Sequence, residues 1–376
     1  MKSALVALYI SLSLLATAQT LKPRLGQSVR SPEVDSAGRV TFRFKAPNAK
    51  SVGMFSEALS TMKMTKDDQG VWSVTTPPLD PDFYSYQFFV DGTVIADPSN
   101  TLMKSVATGG SESIVHVPGP PTLSWEENDV PHGTLRFHTY LSRTVGERRR
   151  YVVYAPPNYN PVAKIEYPVL YLLHGVMEDE TAWFSVGRVN VILDNLIASH
   201  KAKPMLVVMP LGYGFPNAAD RMGEQFGLAN QQPFMDVFAK TLFQEIMPRV
   251  DADYHVSHKP QGRAIAGASM GGAQALYMGL NRPDRFAYIG AFSAATIMYG
   301  GDLPRWFPSV SAALNSKVKL VTVDCGTADF LLTSNRKTKD WLKGKGLAFL
   351  SMETPGGHTW NVWRRNLTEL LPQLFK

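Results

Sequence analysis

The sequence predicts an α/β domain with a mainly parallel sheet, preceded by an all-β region that folds as a sandwich. Two observations carry this prediction. In the N-terminal third, short segments alternate apolar and polar residues at period two and are separated by turn residues, as antiparallel strands are. From about Gly133 onward, short apolar strands alternate with helical segments, which indicates a buried parallel sheet with helices on both faces.

The all-β region ends at Pro118-Gly-Pro-Pro121, where the alternation stops and the composition is typical of a linker. Before it, segments such as Val40-Thr-Phe-Arg-Phe44 alternate regularly, and Asp91-Gly92 is a hairpin signal. We therefore expect an immunoglobulin-like β-sandwich over residues 19–121 and the α/β domain over residues 122–376.

The α/β domain shows its elements in a clear order. Apolar runs predict the strands and helical spacing predicts the helices. The strands are expected at Arg150–Ala155, Tyr167–Leu173, Pro204–Pro210, Arg263–Gly267, Tyr288–Ser293 and Lys319–Gly326, and the helices at Asn190–His200, Phe234–Val250 and Gly272–Leu280.

The first residues have the pattern of a targeting segment. Lys2 is followed by the apolar run Ala4–Leu15, and Ala16-Thr-Ala18 fits the small-residue cleavage rule. The run is too short to span a bilayer, and no second apolar stretch of that length follows. We expect residues 1–18 to be a cleaved signal peptide and the mature chain, from Gln19, to be secreted or periplasmic and not membrane-bound.

Composition excludes several classes of protein. The chain has 376 residues, 44% of them hydrophobic and 19% charged, which is enough apolar content for a core and too little charge for disorder. The net charge is +6, and the basic residues are scattered along the chain. We interpret Arg148-Arg149-Arg150 as flanking a strand rather than as binding nucleic acid. The single cysteine, Cys325, cannot form an internal disulfide and is interpreted as a small core residue.

The strongest chemical signal is Gly267-Ala-Ser269-Met-Gly271, which has the form G-x-S-x-G between a predicted strand and a predicted helix. A tight turn at this place pushes the serine hydroxyl out of the sheet, and small flanking residues let neighbouring backbone pass closely. An ordinary glycine-rich turn is the alternative. The strand–turn–helix context favours Ser269 as a nucleophile.

A serine nucleophile needs a base and an acid, which follow the serine along the chain in this kind of fold. His358 is the only histidine after Ser269. Asp329 lies in a loop after the strand that ends at Gly326, from where it can reach an imidazole, and is preferred as the acid. The other acidic residues considered are Asp284, Asp302, Asp324, Asp340 and Glu353.

The negative charge that develops on a substrate carbonyl needs two backbone N–H donors. We expect one from Met270, directly after the nucleophile, and the other from Val176 in the loop that follows strand Tyr167–Leu173. His174 in the same loop is expected to shape the loop rather than to act as a base.

From about Gly133 to Phe375 the chain resembles the feruloyl-esterase and esterase-D group, the family 1 carbohydrate esterases of the α/β-hydrolase fold. The resemblance implies the catalytic residues Ser269, Asp329 and His358, with Met270 and Val176 at the oxyanion hole. One departure is the loop His-Gly-Val-Met177, where many relatives have a run of glycines. The residues that carry the resemblance are Tyr171–Gly175, Thr181–Trp183, Asn190–Asn195, Val207–Pro210, Ala266–Gly272, Cys325–Asp329 and Gly357–Trp363.

The N-terminal region is more loosely similar to the immunoglobulin-like modules, akin to family 48 carbohydrate-binding modules, that precede such esterases. We expect it to contribute polymer recognition or support and no catalytic group. Four aromatic residues could stack on sugars, although aromatics at alternate positions of a strand more often form a core. These residues are Trp72, Tyr84, Tyr86 and Phe88.

Aromatic residues in the loops around the predicted site could bind a hydroxycinnamoyl or other aryl acyl group, although several could simply pack the loops. We predict that six residues bind substrate: Trp183, Tyr213, Phe215, Tyr299, Trp306 and Trp360.

The function expected from the resemblance is that of an exported carboxylic-ester hydrolase that removes feruloyl or acetyl groups from plant polysaccharides. Enterochelin-type esterases are an alternative, although they generally act inside the cell, and acyltransferases share the fold. A polysaccharide-binding protein with an inactive hydrolase domain is a further alternative. No metal or cofactor motif is evident, and the oligomeric state is left open.

Overall fold

The computed structural model describes residues 29–107, 110–217 and 231–376. The predicted signal peptide, residues 1–18, lies outside these described residues. Within the described ranges, no helix is long and apolar enough to cross a membrane.

The N-terminal part of the described chain consists of short strands in two antiparallel sheets. The strands are β1 (Glu33–Val34), β2 (Val40–Lys45), β3 (Val52–Ser56), β4 (Ser60–Lys63), β5 (Thr65–Lys66), β6 (Val71–Thr75), β7 (Asp82–Val90), β8 (Thr93–Ile95), β9 (Met103–Val106) and β10 (Gly110–Val117). One sheet has the order β1-β2-β6-β5. The other has the order β4-β3-β7-β10-β9, with β8 paired to β7.

The two sheets share one apolar core. Phe42 of the first sheet and Tyr86 of the second have ring centroids 4.5 Å apart. Tyr84, Tyr86 and Phe88 occupy alternate positions of β7 and therefore point to the same face. That face lies against the other sheet, so these three rings and Trp72 are buried in the core. Sugar stacking by these four residues is therefore wrong, and the core alternative holds.

The rest of the chain is built on one eight-stranded sheet, with the order β11-β12-β14-β13-β15-β16-β17-β18. Strands β13 to β18 pair in parallel, while β11 and β12 pair antiparallel at one edge. The strands are β11 (Thr134–Ser142), β12 (Glu147–Ala155), β13 (Val169–Leu173), β14 (Leu206–Pro210), β15 (Arg263–Ala268), β16 (Tyr288–Phe292), β17 (Leu320–Gly326) and β18 (Glu353–Thr354).

Helices cover both faces of this sheet, and the central strands β13 and β14 are accordingly buried at every position. On β13, Leu170 and Leu172 join the cluster on one face, and Tyr171 and Leu173 join the cluster on the other. The described α-helices are α1 (Ala182–Ser185), α2 (Val189–Ala198), α3 (Gln232–Thr241), α4 (Met247–Asp253), α5 (Met270–Asn281), α6 (Leu303–Trp306), α7 (Leu332–Gly344) and α8 (Trp360–Leu370).

One predicted helix is divided. The segment Phe234–Val250 was expected to be continuous, but α3 and α4 are separated by a π-helical turn at Leu242–Ile246. Pro248 has no N–H to donate to the carbonyl of Gln244, which explains the change of helical register at this place.

The N-terminal sheets pack directly against the α/β domain. Phe83 and Ile114 belong to the same buried cluster as the side chains of α8. Arg364 of α8 is fully buried and donates to Asp82 Oδ1 at 2.6 Å, in an ion pair between the two parts of the chain. Helix α8 directly follows the loop that carries His358, so this packing reaches the neighbourhood of the predicted site.

Candidate active site

Ser269 lies in a tight turn between β15 and α5. Its φ is 54° and its ψ is −116°, an uncommon conformation for a residue with a side chain. The neighbours of Ser269 are small for a steric reason, because a Cβ on Gly267 would meet the backbone of Gly271 and a Cβ on Gly271 would meet the carbonyl oxygen of Leu173. The strained turn and its close packing place the serine hydroxyl at the carboxyl end of the parallel strands.

A continuous chain of hydrogen bonds joins the three residues predicted to carry the chemistry. His358 Nε2 lies 2.9 Å from Ser269 Oγ, and His358 Nδ1 lies 2.9 Å from Asp329 Oδ2. The serine comes from the β15–α5 turn, the aspartate from the loop after β17, and the histidine from the loop before α8. With the ring proton on Nδ1, Nε2 can accept the hydroxyl proton of Ser269.

The position of Asp329 is fixed by the backbone of its own loop. Its Oδ1 accepts the N–H of Leu331 at 2.8 Å, which leaves Oδ2 for His358. Burial favours the neutral acid, but the hydrogen bond and charge of His358 outweigh burial and hold the pKa of Asp329 below its usual value. Asp329 therefore stays ionised beside the imidazole.

The other acidic residues considered have different partners. Asp324 lies within β17 and accepts the N–H of Met352 at 2.8 Å, and burial raises its pKa to about 7. Asp284 pairs with Arg282, and Asp302 caps α6. Glu353 pairs with Arg336 and Lys339, and Asp340 is exposed on α7.

The two predicted oxyanion donors lie at the same cleft as Ser269. Val176, Met270 and Ser269 all line it. The N–H of Met270 is in the first turn of α5, where helix N–H groups have no acceptor within the helix. The N-terminus of the helix also favours negative charge at this point.

His174 controls the orientation of the Gly175–Val176 peptide. Gly212 donates its N–H to His174 Nε2 at 2.8 Å, so the ring proton must be on Nδ1, which donates to the carbonyl of Gly175 at 2.7 Å. Burial lowers the pKa of His174 to about 4, which keeps the ring neutral. Because the carbonyl of Gly175 is held in this way, the N–H of Val176 is directed to the opposite side of the peptide.

The cleft in front of Ser269 has a volume of about 610 Å³, within the usual range for small-molecule sites. The residues that the structure places in its wall are uncharged, and two large apolar side chains, Ile297 and Phe330, remain 62% and 75% exposed. The ring of Phe330 lies 4.6 Å from that of His358, measured between centroids. The cleft is lined by Val176, Gln231, Ser269, Met270, Ala295, Ile297, Met298, Gly300, Phe330 and Leu331.

The six aromatic residues predicted to bind substrate are buried instead, and the described wall of the cleft does not include them. Trp183, Tyr213 and Tyr299 each donate to a backbone carbonyl in the interior. Phe215, Trp306 and Trp360 pack against other aromatic rings. The prediction was wrong because aromatic rings on loops next to a site are as useful for supporting the loops as for contacting a ligand.

The apolar wall is formed instead by Ile297, Met298, Phe330 and Leu331. The sequence indicated the loop that begins at Ile297 as a possible pocket wall, but the predicted residues of that loop were its aromatic ones, and Phe330 and Leu331 were missed. A signal for these two was present, since Phe330 and Leu331 directly follow the predicted acid. Cys325 is buried near the site, and burial raises the pKa of its thiol to about 12. In the part of the chain that the structure describes, His, Cys, Asp and Glu side chains do not gather in groups of three that could hold a metal ion.

The strand order, the serine turn and the Ser269–His358–Asp329 arrangement define the α/β-hydrolase class. The Esterase family model, described as "Putative esterase", matches residues 142–374. The chain is 33% identical over 356 residues to an endo-1,4-beta-xylanase/feruloyl esterase of Xylanibacter ruminicola, a match that covers 92% of this chain and 46% of that protein. The chain therefore belongs to the Esterase family of carboxylic-ester hydrolases, and it spans about half the length of this curated relative.

Solved structures agree with this assignment. A ferulic acid esterase matches with a TM-score of 0.55 and 26% identity, covering 65% of this chain and 99% of its own. An enterobactin esterase from Shigella flexneri, in the presence of 2,3-di-hydroxy-N-benzoyl-glycine, matches with a TM-score of 0.68 and 20% identity, covering 93% of this chain and 97% of its own. The second likeness shows the fold alone, and it extends across the N-terminal sheets.

Proposed function

We propose that this protein hydrolyses carboxylic esters through an acyl-enzyme on Ser269, with His358 as general base and acid and Asp329 as the residue that orients His358. The observation that carries this proposal is the hydrogen-bonded chain from Ser269 Oγ through the imidazole to Asp329, which opens into an apolar cleft.

In the first half of the reaction, Ser269 Oγ attacks the ester carbonyl carbon while its proton passes to His358 Nε2. Asp329 stabilises the imidazolium that forms. The carbonyl π electrons move onto the carbonyl oxygen. The oxyanion that forms accepts hydrogen bonds from the N–H groups of Met270 and Val176. When the oxyanion collapses, the C–O bond of the alcohol breaks, and the alcohol leaves with the proton from Nε2.

The second half repeats these steps with water. His358 takes a proton from water, the resulting oxygen attacks the acyl carbon, and the oxyanion forms again in the same place. Collapse then breaks the bond to Ser269 Oγ, which recovers its proton and releases the carboxylic acid. The ring of Phe330 lies beside the imidazole, so an acyl group that contacts Phe330 would lie next to the proton relay.

For the acyl group we propose a hydroxycinnamoyl group such as feruloyl, with acetyl as the second candidate. A cleft of about 610 Å³ walled by Ile297, Met298, Phe330 and Leu331 is large for acetyl and suits a flat aromatic acid. The relative from Xylanibacter ruminicola and the ferulic acid esterase structure support the same choice. We also propose that the ester links this acyl group to a plant polysaccharide.

An enterochelin-type esterase is the alternative, supported by the likeness to the enterobactin esterase fold. Its catecholate substrate carries negative charge when it binds iron, and a site for it would be expected to offer cations. The described wall of this cleft carries no Lys, Arg or His side chain apart from His358 of the relay nearby. This difference favours the neutral aryl ester.

Two further parts of the proposal concern the rest of the chain. We propose that residues 1–18 direct export and that residues 19–121 form an immunoglobulin-like module. The two facing antiparallel sheets with one core support the module. We propose a supporting role for this module, since the aromatic residues that could have stacked on sugars are buried.

The experiment is a substrate panel with the purified chain and its Ser269→Ala variant. We expect methyl ferulate to be hydrolysed with a higher kcat/KM than aryl acetates, and acetylated xylan to release little acetate. Labelling by a fluorophosphonate that Ser269→Ala abolishes would separate an enzyme from an inactive binding protein, and product analysis with a sugar acceptor would separate hydrolysis from transfer. Absence of labelling together with absence of hydrolysis across the panel would refute the proposal.

A further inference from the structure

Lys104 of β9 is buried between the N-terminal sheets and the α/β domain. It is 4% exposed, and its Nζ lies 2.7 Å from Glu178 Oε1 and 3.2 Å from Glu112 Oε2. Burial alone would lower the pKa of Lys104, but the carboxylates of Glu178, Glu112 and Glu57 outweigh burial and raise it. Lys104 is therefore a charged group inside the molecule, paired with acids from both parts of the chain.

Glu178 connects this lysine to both loops of the active site. It follows Val176, the proposed oxyanion donor, by two positions in the same loop. The oxygen that pairs with Lys104, Oε1, also accepts the indole N–H of Trp360 at 3.1 Å. Trp360 stands two positions after His358. One carboxylate oxygen thus joins the oxyanion loop, the histidine loop and the N-terminal sheets.

Two further hydrogen bonds reinforce the same junction. The N–H of Ala107, which directly follows β9, donates to the carbonyl of Met177 at 2.8 Å. Glu57, which directly follows β3, accepts the backbone N–H of Trp360 at its side-chain Oε1, at 3.3 Å. The N-terminal region therefore contacts the oxyanion loop through its backbone and the start of α8, just after His358, through a side chain. The described wall of the cleft contains none of its residues.

We infer that Lys104 is a positioning residue for catalysis, which acts through Glu178 to hold the Val176 N–H and the His358 ring in register with Ser269. The inference rests on the proposed function, since it assigns Lys104 to the reaction of the same site. The N-terminal region then contributes to turnover without contacting the substrate.

The reason to expect an effect on turnover is geometric. Lys104→Met leaves Glu178 buried without its nearest cation, which is costly unless the carboxylate takes a proton or moves toward water. Either change weakens the hydrogen bonding that holds the loop carrying Val176, so we expect the loop to move. Displacement of a catalytic group by about 1 Å can cost about 10²-fold in rate, while the apolar wall that binds the acyl group stays in place.

The test compares Lys104→Met with Asp82→Asn in the full-length chain. Asp82 forms a buried ion pair between the same two parts of the chain, with Arg364, but it touches neither loop of the site. We expect Lys104→Met to lower kcat on methyl ferulate by about 10- to 100-fold with KM changed by less than about 3-fold. Asp82→Asn should lower the thermal unfolding temperature and leave kcat within about 2-fold of wild type.

A second variant and a second readout keep the test decisive if Lys104→Met folds poorly. Glu178→Gln keeps the shape and an oxygen that can accept from Trp360, but it removes the negative charge that attracts Lys104, and Lys104 keeps Glu112. We expect Glu178→Gln to lower kcat, and the double variant Lys104→Met/Glu178→Gln to lose no more kcat than the worse single variant, because both remove one interaction.

The rate at which a fluorophosphonate labels Ser269 provides the second readout. In that reaction the Oγ–P bond forms, fluoride leaves, and the serine proton passes to His358, so the rate depends on the same geometry whatever the natural ester is. Labelling of wild type without hydrolysis of any ester in the panel would count against the proposed function only. Turnover and labelling that stay within about 2-fold of wild type in Lys104→Met and Glu178→Gln, or that fall equally in Asp82→Asn, would overturn the inference.

Discussion

Asp329 Oδ2 lies 2.9 Å from His358 Nδ1, and the other carboxylate oxygen of Asp329 accepts a backbone N–H of its own loop. Asp329→Asn keeps the size of the side chain but allows its amide to donate to Nδ1, which would place the ring proton on Nε2 and block acceptance from Ser269. We expect kcat on methyl ferulate to fall by roughly 10³- to 10⁴-fold with the fold retained.

The control for this variant is Asp340→Asn, which changes an exposed carboxylate on α7. Its kcat should remain within about 2-fold of wild type. An Asp329→Asn protein that retains most of its turnover would exclude Asp329 as the orienting acid.

Removal of the nucleophile should separate chemistry from folding. Ser269→Ala deletes Oγ without changing the backbone of the turn, so we expect the unfolding temperature to change by no more than a few degrees. Hydrolysis should fall by about 10⁵-fold or more. Ser311→Ala, at an exposed serine that makes no side-chain cap, is the matched control. Measurable burst kinetics in Ser269→Ala would point to another nucleophile.

Asp324 should affect stability rather than chemistry. Burial raises its pKa from 3.8 to about 7, so its contribution to stability is fully present below pH 4 and is lost as the pH rises through 7. Asp324→Asn keeps an acceptor for the N–H of Met352 and removes this loss. We compare the free energy of unfolding of Asp324→Asn with that of wild type at each pH. We expect this difference to favour the variant by about 2–3 kcal/mol more at pH 8 than at pH 5.

Urea unfolding of wild type and Asp324→Asn at the two pH values measures this difference. The kcat of Asp324→Asn on methyl ferulate, at a pH where both proteins are folded, should stay within about 3-fold of wild type. A stability difference that is the same at pH 5 and pH 8 would show that Asp324 ionises normally in the folded protein.

Phe330 should set the preference for aromatic acyl groups. Its ring is exposed at the cleft wall and lies beside the imidazole, where it can contact a bound aryl group. We expect Phe330→Ala to raise KM for methyl ferulate by about 5- to 20-fold, since loss of a ring contact costs about 1–2 kcal/mol, and to change KM for an aryl acetate less. Phe137→Ala removes an exposed ring of β11, outside the described cleft wall, and is the control. Equal changes on both substrates would reject a role in acyl selection.

Truncation at Ser124 should damage the enzyme even for small esters. The cut removes Phe83 and Ile114 from a shared apolar cluster and leaves Arg364 and Glu178 without their buried partners. We expect lower solubility, a broader thermal transition and reduced kcat on methyl ferulate. These contacts favour a supporting role for the N-terminal region over pure polymer recognition. A truncated protein with a sharp thermal transition and full kcat on methyl ferulate would instead support a role of the N-terminal region in polymer recognition only.

The Ser269–His358–Asp329 geometry follows from local patterns whose physical cause is local. A G-x-S-x-G turn between a strand and a helix needs small residues because backbones approach there, and the order of acid and base along the chain is fixed by the strand order. The same reasoning located the loop of Val176. Sequence patterns were therefore sufficient wherever a motif and its neighbouring element impose the geometry.

The cleft wall and the Lys104–Glu178 pair depend on contacts between distant parts of the chain. A tryptophan such as Trp183 or Trp360 has the same local sequence signal whether it faces a ligand or supports a loop. Lys104 and Glu178 are far apart in sequence and meet only because the N-terminal sheets pack against the loop after β13. Periodicity gives the face of an element but not its partner, which explains these misses.

The single thiol of the chain, Cys325, is buried and resists ionisation. Thiol-directed dyes, spin labels and resins should therefore not react with the unmodified protein. A cysteine introduced at a surface position then becomes the unique attachment point, without prior removal of Cys325. Pairs of labels placed on the N-terminal sheets and near the mouth of the cleft would then report, in solution and during turnover, how rigidly the two parts of the molecule are held together.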